Sequence, residues 1–136
     1  MLKGFWEKKD YTNFNNCLIN LITVHLHHLI FNAGHGLYEG ESVTGNQFEI
    51  NLDISFEQEG GVKNIKDTID YGKVYQMVKM QMNKPVGLLE ALSLQIIDAI
   101  HDSDTRIKKI KITIFKNHPP LPKFEGRVGV TLEKTF

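Results

Sequence analysis

The chain has 136 residues, of which 41% are hydrophobic and 24% are charged, and sixteen basic side chains balance sixteen acidic ones. Such a chain forms one domain with a real hydrophobic core, and its composition excludes a disordered, collagen-like or coiled-coil protein. Zero net charge provides no field that attracts nucleic acid or an anionic membrane, so we expect neither partner. One cysteine, Cys17, cannot form an intramolecular disulfide, which favours a reducing, cytoplasmic location.

The first 20 residues show no regular hydrophobic period, and we interpret them as an N-terminal extension of a domain that spans residues 21–136. The apolar stretch CLINLITV is too short and too polar for a signal peptide or a membrane-spanning helix. The next residues alternate as a strand, which is followed by a glycine-rich turn region over residues 32–45. The period of two places Val24, Leu26, His28 and Ile30 on one face and His25, His27, Leu29 and Phe31 on the other.

Residues 47–57, QFEINLDISFE, alternate almost perfectly and predict a half-buried antiparallel strand. Helical spacing begins after residues 67–70, where Asp67, Thr68 or Asp70 can cap a helix. A second helix is predicted from about Leu88 to His101, after the interruption Lys-Pro-Val-Gly at residues 84–87.

Strand period returns near the end of the chain, where Ile110, Ile112 and Ile114 share a face that also includes Lys116. The prolines of residues 117–122 end this strand, and a last strand follows over residues 126–134. The order ββααββ predicts an α+β fold, in which two helices cover one face of an antiparallel four-stranded sheet. Such a sheet has two open edges, and we expect one of them to be the strand of residues 47–56 or that of residues 110–114.

Lys116 is the first candidate for chemistry, because a lysine in register with three isoleucines is partly desolvated and suited to proton transfer. The alternative is a strand-end lysine that extends into water. Glu90 lies one turn into the second helix, where the helix dipole alone accounts for a carboxylate, although it could also bind a guanidine-like ligand edge. Tyr71, at the start of a helix, is typical of a packing residue, and Glu41 is typical of a solvated loop glutamate.

Four histidines lie close together in the sequence: His25, His27, His28 and His35. His25 and His27 share a strand face, as two metal ligands would. The sequence offers no third ligand at suitable spacing and no acidic partner motif, so we interpret them as ordinary strand histidines and expect no metal site. The basic run of residues 106–116 favours a solvated strand face over a nucleic-acid ridge, and Cys17 has no catalytic partner in the sequence.

Taken together, residues 21–136 resemble dihydroneopterin aldolase, a folate-pathway enzyme with the tunnelling fold. Four stretches in the right order carry the resemblance: HGLYEGESVTGNQFEINLDISF (35–56), DTIDYGKVYQMVK (67–79), GLLEALSLQIIDAI (87–100) and ITIFKNHPPLP (112–122). The family's functional residues fall on Glu41, after the His-Gly dipeptide, on Tyr71, on the Leu-Leu-Glu residue Glu90, and on Lys116.

The resemblance implies retro-aldol cleavage of 7,8-dihydroneopterin, without metal, Schiff base or other cofactor, in a homo-octamer built from barrel rings. Lys116, Glu41 and Tyr71 would then be catalytic, and Glu90, Leu89 and Asp70 would bind the substrate, with Glu90 anchoring the pterin. Active sites in the family lie between subunits, so these residues need not come from one chain.

The sequence departs from the family in three places. The family's Tyr-Gly-Tyr-His-Gly stretch is replaced by residues 32–36, a Lys-Gly pair in the first strand is replaced by His27 and His28, and the 20-residue extension has no family counterpart. Three rivals stay open: a dihydroneopterin triphosphate epimerase, a zinc-dependent pterin synthase that uses the histidines, and a non-catalytic pterin-binding or scaffold protein.

Overall fold

The computed structural model describes residues 19–33 and 46–136, which form one antiparallel sheet and two helices. The strand order is β1-β2-β3-β4, so the predicted ββααββ order and α+β class are confirmed. The elements are β1 (Ile19–Ala33), β2 (Asn46–Glu59), a 3-10 turn (Ile65–Asp67), α1 (Tyr71–Met82), α2 (Leu89–Ser103), β3 (Ile107–Lys116) and β4 (Val128–Thr135).

The hydrophobic core lies between one face of the sheet and the two helices. Strand β2 follows its period of two, because every second residue from Phe48 to Phe56 is fully buried against the helices. Helix α1 packs over β1, whereas α2 packs over β3 and β4. The face of the sheet that carries no helix, called here the open face, holds polar side chains such as Asp53 and Thr113.

The sheet places β2 and β3 in the centre and leaves β1 and β4 at its edges. The prediction that residues 47–56 or 110–114 form an edge is therefore wrong. Both strands are strongly apolar on their inner side, and a strand with a complete buried face gains most from neighbours on both sides. The edge strand β4 is half-exposed along most of its length.

Strand β1 contains a β-bulge that the period of two does not predict. Leu26 pairs with Leu52 and Leu29 pairs with Ile50, so His27 and His28 together oppose one residue. The extra residue shifts the phase, so that residues 29, 31 and 33 face the core and the predicted alternation is wrong beyond Leu26.

The element boundaries differ little from those predicted. Strand β1 begins at Ile19, so the last two residues of the predicted extension pair with β2, and the rest of the extension lies outside the described residues. Asp70 is the residue that caps α1, since its Oδ1 accepts hydrogen bonds from the amides of Gly72 and Lys73. Neither helix in the described ranges is long and apolar enough to span a membrane.

Candidate active site

Lys116 ends β3 on the side of the sheet that faces the helices, in phase with three buried isoleucines. Only 7% of its surface is exposed, so the predicted desolvation of this lysine is confirmed. Its Nζ lies 5.9 Å from the centroid of the Phe48 ring, which belongs to the residue paired with Lys116 on β2. A buried ammonium above an aromatic face is held in place and shielded from bulk water, as a proton-transfer group requires.

The chain that follows Lys116 is tied to the start of β2 by amide side chains. The backbone and side-chain nitrogens of Asn117 donate to Gln47, at 2.9 and 3.0 Å. The amide of His118 donates to Asn46, and the Asn46 side chain donates back to the carbonyl of His118. These bonds fix the end of β3 and therefore the position from which Lys116 extends.

Glu90 and Leu89 form the first turn of α2. The N-cap residue is Leu88, whose side chain cannot accept hydrogen bonds, so no N-cap side chain binds the backbone amides of this first turn. Glu90 is exposed, whereas Leu89 packs against the core. An exposed carboxylate in this position can accept hydrogen bonds from a ligand that presents several N–H groups.

Glu90 and Lys116 lie at the same end of the molecule. Only residues 104–106 separate the end of α2 from the start of β3, so these two packed elements run in opposite directions. An ion pair of 2.9 Å between Lys134 and Asp98 docks the middle of α2 on β4. The first turn of α2 therefore lies near the end of β3. We call this group of Lys116, Glu90 and Leu89 the lysine end.

Tyr71 and Asp70 begin α1 at the other end of the helical layer. The segment before them is bound to Arg106, which precedes β3, because the guanidinium donates to the carbonyls of Lys66 and Thr68 at 2.9 and 3.0 Å. Strand β3, which leads from there to Lys116, is about 30 Å long. Tyr71 is 67% exposed, and we call its position with Asp70 the tyrosine end.

Arg106 and Asp104 form a charge pair next to the segment that leads to the tyrosine end. Nη2 of Arg106 lies 2.7 Å from Oδ2 of Asp104, and Nε donates to the same carboxylate. These hydrogen bonds hold the pKa of Asp104 below its ordinary value and raise the pKa of Arg106. Sequence reasoning placed Arg106 only in a solvated basic run, because its contact with residues 66–68 crosses about 40 residues of chain.

A groove of about 850 Å³ lies between α1, the end of α2 and Arg106. Asp70 is in its lining, but Lys116, Glu90 and Tyr71 are not. The predicted site residues therefore fall into two groups at separate ends of the described chain. Glu41 lies outside the described residues.

The histidine pair has an acidic partner that the sequence did not suggest. His25 and His27 contact the same carboxylate oxygen of Asp53 on β2, the second at 2.7 Å. Partial burial opposes ionisation of Asp53, but the two imidazole hydrogen bonds outweigh it and hold the pKa of this carboxyl below its ordinary value. The expectation that these histidines have no acidic partner is wrong, because strand pairing supplies the carboxylate of Asp53 from 26 residues away.

Comparison with known proteins identifies the family. Residues 24–133 match the family model described as FolB: dihydroneopterin aldolase. The chain belongs to the dihydroneopterin aldolase family. A dihydroneopterin aldolase of Staphylococcus epidermidis is 30% identical over 112 residues, which cover 80% of this chain and 93% of the relative. One from Streptococcus pyogenes is 27% identical over 107 residues, which cover 76% and 90%.

Solved structures of dihydroneopterin aldolases share the fold of this family member. The Vibrio cholerae FolB structure superposes with a TM-score of 0.73 at 19% identity and covers 86% of this chain and 99% of its own. The Escherichia coli enzyme, solved in complex with neopterin, gives a TM-score of 0.68 at 14% identity and covers 83% and 98%. At such identities the likeness concerns the fold alone, and it confirms the tunnelling-fold prediction.

Proposed function

We propose that this family member is a dihydroneopterin aldolase of folate biosynthesis that acts in the cytoplasm. Its substrate is 7,8-dihydroneopterin, and its products are 6-hydroxymethyl-7,8-dihydropterin and glycolaldehyde. The observation that carries the proposal is Lys116, a lysine in phase with an apolar strand face and buried at the same end as Glu90. A buried lysine and a carboxylate at one end of the domain suit a reaction that holds a ring and moves protons.

The carbon–carbon bond breaks when the side-chain hydroxyl on the departing fragment loses its proton and its oxygen becomes the aldehyde of glycolaldehyde. The electron pair of the broken bond moves into the C=N bond of the dihydropterin ring, which takes up a proton. The resulting enolamine then accepts a proton on its side-chain carbon, while the ring nitrogen releases the proton that it took up and the C=N bond forms again, which gives the hydroxymethyl product. The ring is the electron sink, so the reaction needs neither a Schiff base nor a metal ion.

Each site residue has a role in this sequence. Lys116, through water and together with Glu41, removes the hydroxyl proton, and Tyr71 assists protonation of the enolamine. Glu90 accepts hydrogen bonds from the aminopyrimidinone edge of the pterin, where a carboxylate matches two N–H donors, while Leu89 and Asp70 contact the substrate. A Burkholderia dihydroneopterin aldolase was solved with guanine, which presents the same donor edge, and the Escherichia coli enzyme with neopterin.

A complete site requires two subunits in this proposal. The lysine end lies near β3 and the edge strand β4, whereas α1, which begins at Tyr71, packs over the edge strand β1. Joining β1 of one subunit to β4 of the next would bring one lysine end and one tyrosine end to the same junction. Repeated joining closes a barrel, and two stacked rings of four give the homo-octamer.

The proposal is tested by product analysis with two substrates. Purified protein is incubated with 7,8-dihydroneopterin or its triphosphate, with and without a chelator, and the pterins are separated by chromatography. We expect 6-hydroxymethyl-7,8-dihydropterin and glycolaldehyde from the unphosphorylated substrate, at a rate that the chelator does not change. Epimerisation of the triphosphate without cleavage would assign the sister activity, and a zinc-dependent reaction would favour the synthase. No turnover of either substrate would leave a binding or scaffold protein.

A further inference from the structure

We propose that His25, His27 and Asp53 form a binding site for a divalent transition-metal ion on the open face of the sheet. One potential ligand atom from each residue lies within 4.8 Å of the other two. Two imidazole nitrogens and one carboxylate oxygen are a donor set that suits Zn²⁺, Co²⁺ and Ni²⁺. Three protein ligands leave further coordination positions for water.

The backbone arranges these three side chains before any ion arrives. His25 and His27 are two residues apart on one strand and therefore project from the same face, and Asp53 is the pairing partner of His25 on β2. Both rings already point at one oxygen of Asp53. Ligands on paired strands lose little conformational freedom on binding, so an ion would replace hydrogen bonds within an ordered cluster.

The charge around the cluster does not oppose a cation strongly. Lys111 on β3 is the pairing partner of Asp53, but it is also paired with Glu133 on β4. The pKa of Glu133 is held below its ordinary value by the hydrogen bond from Lys109 and, to a smaller extent, by the charge of Lys111. An anion therefore offsets the lysine beside the proposed site.

The proposed metal site is separate from the pterin machinery. Asp53 belongs to the open face of β2, whereas Lys116 lies on the opposite face of the sheet, towards the helices. The ion would therefore link β1 to β2 without contacting the reacting groups. Its expected effect is on stability, because an ion that binds only the folded chain shifts the folding equilibrium towards it.

The experiment titrates Zn²⁺ into metal-stripped full-length protein by calorimetry, and Co²⁺ in parallel by visible absorption. We expect one ion per chain, a rise in melting temperature with Zn²⁺, and imidazole nitrogen signals of His25 and His27 that shift on binding. Asp53→Asn and His27→Gln, which keep side-chain volume, should each weaken binding about tenfold or more.

Two matched variants each remove a histidine without touching the three ligands. His118→Gln changes the turn after β3, and His28→Asn changes the residue next to the cluster, whose ring contacts Glu49 instead. Both should bind Zn²⁺ as the wild type does. The proposal is overturned if the wild type binds no stoichiometric ion at micromolar concentration, or if folded Asp53→Asn binds as tightly as the wild type. If the variants do not fold, unshifted His25 and His27 signals in the wild type overturn it.

Discussion

Lys116 is buried at the end of a central strand. A substitution at this position can therefore change the rate of cleavage without a large change in pterin affinity. We expect Lys116→Met to lower the rate of cleavage by about 10²–10⁴-fold, the usual contribution of a positioned proton-transfer group. Methionine preserves the apolar stem, so pterin affinity should stay within about tenfold. The measurements are product formation from 7,8-dihydroneopterin and fluorescence titration with a pterin. Lys111→Met, on the open face of the same strand, is the control and should keep full activity. Normal turnover by folded Lys116→Met would remove Lys116 from the mechanism.

Glu90 should act mainly on binding, since its carboxylate lies in the first turn of α2, where it is proposed to accept hydrogen bonds from the pterin edge. Removing one partner of a desolvated charged hydrogen bond costs about 2–5 kcal/mol, so Glu90→Leu should weaken pterin affinity by at least about thirtyfold. Fluorescence titration with neopterin measures this change. Asp102→Asn, near the other end of α2, is the control for a lost helix carboxylate. Unchanged affinity of Glu90→Leu would show that the pterin is anchored elsewhere.

His28 adopts a backbone conformation that favours glycine. Its φ is +58°, inside the left-handed region, where a side chain costs about 1–2 kcal/mol. The contact that His28→Gly removes, 3.3 Å to Glu49, is exposed and contributes little, and Glu49 keeps its ion pair with Arg127 at 2.9 Å. We expect His28→Gly to raise the melting temperature by about 3–5 °C. His27→Gly, at the neighbouring position without a positive φ, should lower it. A lower melting temperature for His28→Gly would mean that the bulge is not strained.

At the scale of the elements, Arg106 holds the segment that leads into α1. Its guanidinium joins Asp104 to the carbonyls of Lys66 and Thr68, three to five residues before Tyr71. Arg106→Gln should therefore lower kcat, by about tenfold, with little change in KM, because a displaced Tyr71 affects proton delivery more than pterin binding. Arg106→Lys should restore part of kcat. Arg127→Gln, the other arginine of the chain, should leave kcat unchanged, and a kcat of Arg106→Gln equal to that of the wild type would contradict the positioning role.

The ion pair between Arg106 and Asp104 should also make the stability of the fold depend on pH, in a direction that can be predicted. Hydrogen bonds from Arg106 hold the pKa of Asp104 in the folded chain below its ordinary value of 3.8. A carboxyl with a lowered pKa stabilises the fold fully above its unfolded pKa and loses this contribution as the pH falls through the folded value. The difference in unfolding free energy between the wild type and Arg106→Gln should therefore be constant near neutral pH and shrink below about pH 4. Denaturant unfolding at several pH values measures it, and a difference that grows on acidification would contradict the pairing.

The helices and strands can be predicted from local sequence patterns. The features that were not predicted depend on contacts between residues distant in the sequence, which hydrophobic periodicity does not report. Phe48 to Phe56 alternate in the sequence and are buried in the same alternation, and Lys116 is buried because it continues the phase of Ile114. The bulge at His27 and His28 was missed because it depends on pairing with β2. The same reason applies to the contact of His27 with Asp53 and to the hydrogen bonds of Arg106 with residues 66 and 68, since each joins residues that are distant in the sequence.

At the scale of the whole molecule, one described chain offers two incomplete groups of site residues. The lysine end provides a buried ammonium and an exposed carboxylate, and the tyrosine end provides an exposed phenol about one strand length away. Both sheet edges are open within the described chain, and the exposed apolar side chains of β1 include Leu21 at 69% and Ile30 at 48%. Assembly through these edges, as proposed above, would therefore satisfy the unpaired backbone and complete the proposed site in one step.

Shared sites can be tested by mixing two inactive variants. Lys116→Met has an intact tyrosine end, and Tyr71→Phe has an intact lysine end, so a junction between the two chains can contain both functional groups. If the subunits join head to tail in rings, random co-refolding should leave about one quarter of the junctions fully wild type and restore about one quarter of wild-type activity. Refolding either variant alone is the control and should restore nothing. Light scattering should give a mass several times 15.6 kDa, and about eight times if two rings of four stack. A mixture no more active than its separate components would place the whole site within one chain, and a 15.6 kDa species with full aldolase activity would contradict the assembly itself.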